Sequence, residues 1–154
     1  MEISLTLKLL LTPLIIVDFS NPNLVIWLLA MLILVFLSAL FSGSEVAIFG
    51  LSSSQKLNLS NETDNKNSNR ILKLLESPKK LLATILIGNN LVNVAIVIVS
   101  SIIMNEIFPS EIQNFLTSFI IQVVSVTFII LLFGEVNPKV YANSYNIRFS
   151  KIMA

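Results

Sequence analysis

The 154-residue sequence contains no cysteine and no histidine. Without cysteine there can be no disulfide, no thiolate-bound zinc and no thiol catalysis, and without histidine the usual general base and the commonest metal ligand are missing. Charged residues make up only 12% of the chain, and the net charge is +1, so no strong field attracts nucleic acid. Any chemistry must therefore use oxygen atoms of side chains and backbone.

Hydrophobic residues, in contrast, make up 55% of the chain, and the mean hydropathy is +0.84. A soluble domain of this size buries only about 68–70% of the surface that its unfolded chain exposes, which argues against a soluble enzyme. The apolar residues are concentrated in three blocks, 24–41, 81–104 and 115–133, each long enough to cross a hydrocarbon layer of about 30 Å. The sequence therefore predicts an all-α integral membrane domain with three transmembrane helices.

The ends of the spans differ in charge, and this predicts their orientation. The connection 52–80 contains six lysine and arginine residues, whereas the connection 105–114 contains none. By the positive-inside rule, 52–80 and the C-terminus are cytoplasmic and the N-terminus is outside, in the inner (plasma) membrane. The apolar stretch 5–17 is short for a span, so we expect 1–23 to form an extracytoplasmic or interfacial segment, with a signal peptide as the alternative.

The connection between the first two spans is not uniform. A polar, asparagine-rich stretch at 60–69 separates segments 51–59 and 70–82, which carry apolar residues near helical spacing. We therefore predict a juxtamembrane pair of short helices against the inner face of the membrane. Pro78 is expected to mark the point where the second of these helices ends and the second span begins.

Polar residues that do not suit a lipid environment occur in all three spans. Counted at about 1.5 Å per residue, they lie at similar depths, roughly 9–14 Å from the inner face. An ionisable residue within a span costs about 2.5–3.5 kcal/mol on insertion scales, which makes Glu135 the strongest functional candidate. Glycine and proline beside these residues predict broken or kinked helix segments. The clusters are Ser42, Gly43, Ser44 and Glu45; Gly88, Asn89, Asn90 and Asn93; and Gly134, Glu135, Asn137 and Pro138.

A carboxylate accompanied by amide and hydroxyl oxygens suits a hard cation such as Mg²⁺, Ca²⁺ or Na⁺, and composition does not choose between Mg²⁺ and Na⁺. The alternative is that the asparagines only form hydrogen bonds between helices, as polar residues in spans often do. Glu45 has a similar alternative, an ion pair with a basic residue at the inner interface. Hydrogen bonding between helices is our interpretation for Ser38, Ser100, Ser101, Ser125 and Thr127.

Three stretches resemble the CNNM/CorC family through its transmembrane (DUF21) domain: SGSEVA (42–47), LLATILIGNNLVNVA (81–95) and LLFGEVNPKVYA (131–142). The resemblance covers 24–154 and is strongest to gliding-motility-associated members. It implies a homodimeric membrane transporter, not an enzyme, in which Mg²⁺ efflux is coupled to Na⁺ entry. Asn137 stands where the family pattern has an apolar residue. The family's CBS pair and small C-terminal domain are expected to be absent from this chain.

The resemblance also implies a set of ligands. The family binds a dehydrated Mg²⁺ between its spans, and the matching positions here are Ser42, Gly43 through its carbonyl, Asn89, Asn90, Asn93 and Glu135. Na⁺ would be the coupling ion. The implied partners are the lipid bilayer, a second copy of the chain and proteins of a gliding machinery, with no nucleic acid. The alternative function is a membrane scaffold for gliding or secretion that transports nothing.

Overall fold

The computed structural model describes residues 21–62, 65–107 and 115–154. Every regular element in these ranges is helical, as predicted. The interfacial segment predicted at the N-terminus falls almost entirely outside these ranges. In chain order the elements are α1 (Pro22–Phe49), α2 (Ser53–Asn61), α3 (Lys66–Leu75), α4 (Pro78–Ile107), α5 (Phe115–Ile129), a π-helical segment (Ile130–Val136), α6 (Asn137–Ser144) and α7 (Asn146–Met153).

Three helical stretches are long and apolar enough to cross a membrane, which confirms the predicted spans: Pro22–Phe49, Pro78–Ile107 and Phe119–Ser144. Large apolar side chains cover their outer surfaces, as shown by Leu32 and Phe128, which are 67% and 62% exposed. Such extensive apolar exposure is expected where a helix contacts lipid. The third span extends beyond the predicted end at residue 133, because its helix continues through the polar residues that follow the apolar run.

α1 is the central helix of the domain. Its first turn is capped by the side chain of Asn21, which accepts a hydrogen bond from the backbone N–H of Asn23, and Pro22 occupies a first-turn position that needs no N–H donor. Along its length α1 packs against α4, the π-helical segment, α6 and α7. α1 therefore contacts both the second span and the end of the third span.

The third span contains the predicted helix interruption. Its backbone changes from α-helix to π-helix over Ile130–Val136 and returns to α-helix at Asn137. Such π-bulges are rare and occur frequently at functional sites. The first and second spans, in contrast, remain α-helical through Gly43 and Gly88, so the breaks predicted beside these glycines are wrong. Within a long helix a single glycine weakens the backbone without interrupting it. The break therefore lies in the span that carries Glu135.

The predicted juxtamembrane helical pair is also confirmed. α2 starts with a reciprocal capping box, in which the Ser52 hydroxyl accepts from the Gln55 N–H and the Gln55 side chain accepts from the Ser52 N–H. α2, α3 and α7 share a small apolar core built from Leu51, Leu59 and Ile71, against which Ile147 packs. α7 thus joins the juxtamembrane pair to the end of the third span.

A charged contact outside the spans holds α7 against this pair. Lys151 Nζ donates to Glu62 Oε2 at 2.6 Å, and the Ser68 hydroxyl donates to the same oxygen at 2.7 Å. The hydrogen bond from Lys151, with further help from Ser68 and Asn65, lowers the pKa of Glu62 from its ordinary value of 4.5. The contact therefore favours an ionised carboxylate at neutral pH.

Candidate cation site between the three spans

A hydroxyl group on α1 connects the first span to the second. Ser38 is fully buried, and its Oγ lies 2.8 Å from Asn93 Oδ1 and 3.2 Å from Asn89 Oδ1. The two asparagines are four residues apart and therefore share one face of α4. Two amide oxygens thus converge on one hydroxyl proton in a three-centre hydrogen bond.

A hydrogen bond from the same α4 face reaches the third span. Asn93 Nδ2 donates to Glu135 Oε1 at 3.5 Å, and both side chains are half-buried. Glu135 lies in the π-helical segment, which packs against α1. Ser38, Asn93 and Glu135 therefore form a chain of polar contacts across all three spans, and Asn89 joins it through Ser38. We refer to these four residues as the polar cluster.

Glycine at residue 134 allows the third span to approach α1 closely enough for this arrangement. Gly134 is buried, and a β-carbon there would lie 2.9 Å from Ser38 Oγ and 3.4 Å from Ser38 Cβ. Real β-carbons essentially never come within 3.0 Å of another heavy atom. A larger residue would therefore displace either the Ser38 side chain or the third span.

Ser42 lies one helical turn after Ser38, on the same face of α1. Its side chain is only 1% exposed, and its hydroxyl has no hydrogen-bond partner within the described ranges. A buried hydroxyl without a partner costs about 1–3 kcal/mol, so its presence needs an explanation. Gly43 follows it and contacts the ring of Phe149 on α7, whose Cζ would lie 2.5 Å from a β-carbon at residue 43.

An ion pair borders the polar cluster on its α6 side. Lys139 Nζ lies 3.7 Å from Glu45 Oε2, so Glu45 pairs with a basic residue, as its alternative interpretation anticipated. Lys139 is one helical turn beyond Glu135 on the same span. In the parts of the chain that the structure describes, Glu135 itself has no salt-bridge partner. The charge of Glu45 is thus compensated, whereas that of Glu135 is available to a cation.

Asn90 and Asn137 do not join the polar cluster. Both side chains are exposed, and no hydrogen bond in the described ranges links either of them to Ser38, Asn93 or Glu135. Because α4 remains helical through Gly88, Asn90 lies about 100° around the helix from Asn89 and about 60° from Asn93. Asn90 therefore borders the site without entering it in this conformation.

The sequence of residues 28–154 matches the family model of the Cyclin M transmembrane N-terminal domain (CNNM). The match covers most of the chain and includes every residue of the polar cluster. The chain belongs to the CNNM family. This family is of the transporter type and not an enzyme family. The match agrees with the predicted membrane domain and with the resemblance carried by the three sequence motifs.

Curated relatives of this CNNM domain are known under general names. A UPF0053 protein of Haemophilus influenzae is 35% identical over 112 residues, covering 73% of this chain and 25% of the relative. The UPF0053 inner membrane protein YfjD of Escherichia coli is 32% identical over 109 residues, covering 71% of this chain and 24% of the relative. The chain thus spans about a quarter of the length of these relatives. The three apolar helices of this chain are those of a multi-pass membrane protein.

The donor set of this CNNM domain consists of oxygen atoms. Within the described ranges no group of three or more histidine, cysteine, aspartate or glutamate residues is placed to hold a metal ion. The polar cluster and Ser42 instead offer a carboxylate, two amide oxygens and two hydroxyls. Hard cations such as Mg²⁺ and Na⁺ prefer such ligands, whereas zinc and copper prefer nitrogen and sulfur. The arrangement therefore suits a small, hard cation.

Ser38 is the residue of the cluster that was not among the predicted ligands. Its expected hydrogen bonding between helices is confirmed, but it also occupies the centre of the polar cluster. The spacing of four residues to Ser42 was the available signal, since it places both hydroxyls on one helix face. Ser100 and Ser101 likewise accept hydrogen bonds from Gln122 of α5, which joins α4 to the third span outside the cluster.

Proposed function

We propose that this CNNM domain transports Mg²⁺ across the inner membrane through the polar cluster, exporting it in exchange for Na⁺. The observation that carries the proposal is the contact chain from Ser38 through Asn93 to Glu135, which joins oxygen ligands from all three spans. The hydroxyl of Ser42, which has no hydrogen-bond partner among the described residues, adds a further buried oxygen one turn away. Membership of a transporter-type family supports the same function.

The proposed ligands have distinct tasks. Glu135 supplies the negative charge, while Ser42, Asn89, Asn93 and the carbonyl of Gly43 replace water molecules around the ion. Mg²⁺ requires six oxygens at about 2.0–2.1 Å, so the cluster must contract around it and water or carbonyl oxygens must complete the shell. The hydroxyl proton of Ser38 now lies between two amide oxygens, and it must turn away to release them to the cation.

Alternating access needs an element with two arrangements. The π-helical segment is the proposed element, because a shift between π and α geometry moves Glu135 relative to α1. A rotation of α4 by about 60° would turn Asn90 to the side that Asn93 faces now, at a level about 4.5 Å away along the helix axis. Asn90 therefore remains a proposed ligand, contributed in a second conformation. Movement of the two elements together would open the site to alternate sides.

The proposed function includes an oligomeric state and an orientation of the chain in the membrane. We propose a homodimer with the N-terminus outside and with the 52–80 connection and the C-terminus in the cytoplasm. The distribution of lysine and arginine supports this orientation. In this arrangement the polar cluster lies in the cytoplasmic half of the bilayer, so the ion would enter from the side where Lys139 and Glu45 form their pair.

Mg²⁺ titration of the purified chain by calorimetry tests the site. Glu135→Gln keeps the shape of the side chain and removes its charge, so we expect Mg²⁺ affinity to fall at least about tenfold, as for loss of a charged ligand contact. Glu76→Gln removes the same charge from an exposed residue next to α3 and should leave affinity unchanged. Full affinity in Glu135→Gln would refute the proposed site.

A scaffold without transport activity is the second candidate, placed in a gliding or secretion machinery. It is favoured by the observation that the cluster residues satisfy one another by hydrogen bonds across the spans, as purely structural polar residues do. The two functions differ in cells. Under the scaffold function, Glu135→Gln preserves Mg²⁺ tolerance and complex assembly, whereas under the transport function Mg²⁺ tolerance falls.

A further inference from the structure

A surface cavity separate from the polar cluster lies in the corner between α3 and the first turns of α4. Its volume is about 460 Å³, and its lining includes three basic side chains, Arg70 and Lys73 from α3 and Lys80 from α4. No acidic residue is among the described residues that line it. Positive charge is therefore concentrated here in a chain whose net charge is only +1.

No aspartate or glutamate side chain in the described ranges neutralises the three cations. The salt bridges in these ranges use Lys139 and Lys151, so none of the three cavity cations is paired with an acidic side chain. Arg70 donates a hydrogen bond at 3.4 Å to the backbone oxygen of Ala154, which in the 154-residue chain belongs to the terminal carboxylate. The charges of Lys73 and Lys80 and the remaining donors of the Arg70 guanidinium are left available to an anion. An anion in the cavity would relieve the mutual repulsion of these charges.

Other lining residues define what kind of anion fits. Ser77 provides a hydroxyl beside the cations, which can donate to a phosphate oxygen. Leu74 and Leu81 add apolar surface to the same cavity. A ligand that combines an anionic phosphate with an apolar tail therefore matches both parts of the lining, whereas a free phosphate ion would use only the polar part.

The position of the cavity along the span points to the source of that phosphate. Lys80 is the third residue of α4, and Pro78 begins the second membrane span. The first turn of a spanning helix lies at the level of the lipid headgroups, where lysine side chains extend into the polar layer. The cations of the cavity are thus placed at the height of lipid phosphates.

We propose that this α3–α4 cavity binds the headgroup of an anionic phospholipid. Arg70, Lys73 and Lys80 contact the phosphate, and Leu74 and Leu81 contact the start of an acyl chain. Basic pockets beside spanning helices are suited to anionic headgroups. The proposal goes beyond ion transport and does not depend on it, because none of the lining residues belongs to the polar cluster.

Native mass spectrometry of the 154-residue chain tests this proposal. The chain is released from nanodiscs that contain equal amounts of phosphatidylglycerol and phosphatidylcholine, and the lipid that stays bound is counted. The test variant is Arg70→Gln/Lys73→Gln/Lys80→Gln. The matched control is Lys56→Gln/Lys66→Gln/Arg148→Gln, which removes the same charge outside the cavity. Circular dichroism confirms that both variants are folded.

We expect the wild type and the control to retain phosphatidylglycerol in preference to phosphatidylcholine, and the test variant to retain about tenfold less of it. Three outcomes would overturn the proposal. Equal losses in the two variants would indicate general charge attraction, and equal retention of both lipids would indicate acyl contacts alone. Displacement of the lipid by millimolar glycerol phosphate would indicate a site for a soluble phosphate.

Discussion

Gly134 of the third span lies against Ser38 of α1, so closely that a β-carbon at residue 134 would come within 2.9 Å of the Ser38 hydroxyl oxygen. The same hydroxyl donates to the amide oxygens of Asn89 and Asn93. The packing of two spans is thereby linked to the hydrogen bonds of the polar cluster. A change at residue 134, which carries no ligand atom in its side chain, should therefore alter the site.

Gly134→Ala should weaken Mg²⁺ binding by about tenfold, because the added methyl group presses against Ser38 and moves the third span, with the Glu135 carboxylate, away from α1 and Asn93. A contact with a charged ligand is worth about 1.5–3 kcal/mol. Calorimetric titration of Gly134→Ala, Ser38→Ala and the double variant measures this. If alanine at 134 acts through Ser38, the effects of the two changes are not additive. Additive losses would show instead that Gly134 acts on the site by another route.

Ser42→Ala should affect the stability of the ion-free protein and its affinity for Mg²⁺ in different ways. The Ser42 hydroxyl is buried without a partner in the described ranges, and removing it avoids a cost of about 1–3 kcal/mol. The ion-free protein should therefore unfold at the same or a higher temperature, while the rise in melting temperature on addition of Mg²⁺ becomes smaller. Thermal melts with and without Mg²⁺ measure both quantities. Lower stability without the ion, together with an unchanged Mg²⁺ shift, would mean that Ser42 is structural.

The spans, the juxtamembrane pair and the helix break could all be predicted from sequence, because each depends on local properties. Hydrophobic length identifies the spans, and apolar residues at helical spacing on either side of the asparagine-rich stretch 60–69 identify the two short helices. Glycine together with Pro138 marks the weak point of the third span, whereas glycine alone, at Gly43 and Gly88, accompanies no break. Counting residues at a fixed rise along a helix also predicted that the asparagines and Glu135 lie at one level, and the hydrogen bond from Asn93 to Glu135 agrees.

The contacts within the site could not be predicted in the same way. Depth does not determine how a helix is rotated about its axis, and that rotation decides that Asn89 and Asn93 contact Ser38 while Asn90 is exposed. The rotation follows from packing between spans, including the close approach at Gly134. Likewise, only the spacing of four residues to Ser42 distinguishes Ser38 in sequence from Ser100, which also forms hydrogen bonds between helices.

The two neighbouring asparagines should respond differently to substitution. Asn89→Ala removes an acceptor of the Ser38 hydroxyl and should lower both the melting temperature of the ion-free protein and its Mg²⁺ affinity. Asn90→Ala changes an exposed side chain and should lower Mg²⁺ affinity alone, since Asn90 is proposed to reach the ion only in a second conformation. Melting curves and calorimetry on both variants provide the comparison. Unchanged affinity in Asn90→Ala would remove Asn90 from the ligand set.

The contact of Glu62 with Lys151 should make the attachment of α7 depend on pH. Folding lowers the pKa of Glu62 from its ordinary value of 4.5, chiefly through the hydrogen bond from Lys151. A carboxyl group whose pKa is lowered in the folded state contributes stability above its unfolded pKa and loses that contribution as pH falls through the folded pKa. The stabilising contact should thus be complete at pH 7 and disappear progressively below pH 4.5.

Melting temperatures of the wild type and Glu62→Gln, measured from pH 7 down to pH 3, test this dependence. Glutamine cannot carry the charge that Lys151 contacts, so the wild type should melt at the higher temperature at pH 7, and the difference should shrink as Glu62 takes up its proton. Glu76→Gln, at an exposed carboxyl that forms no salt bridge within the described ranges, serves as the control for general charge effects. A difference that stays constant to pH 3 would show that the charge of Glu62 does not hold α7 in place.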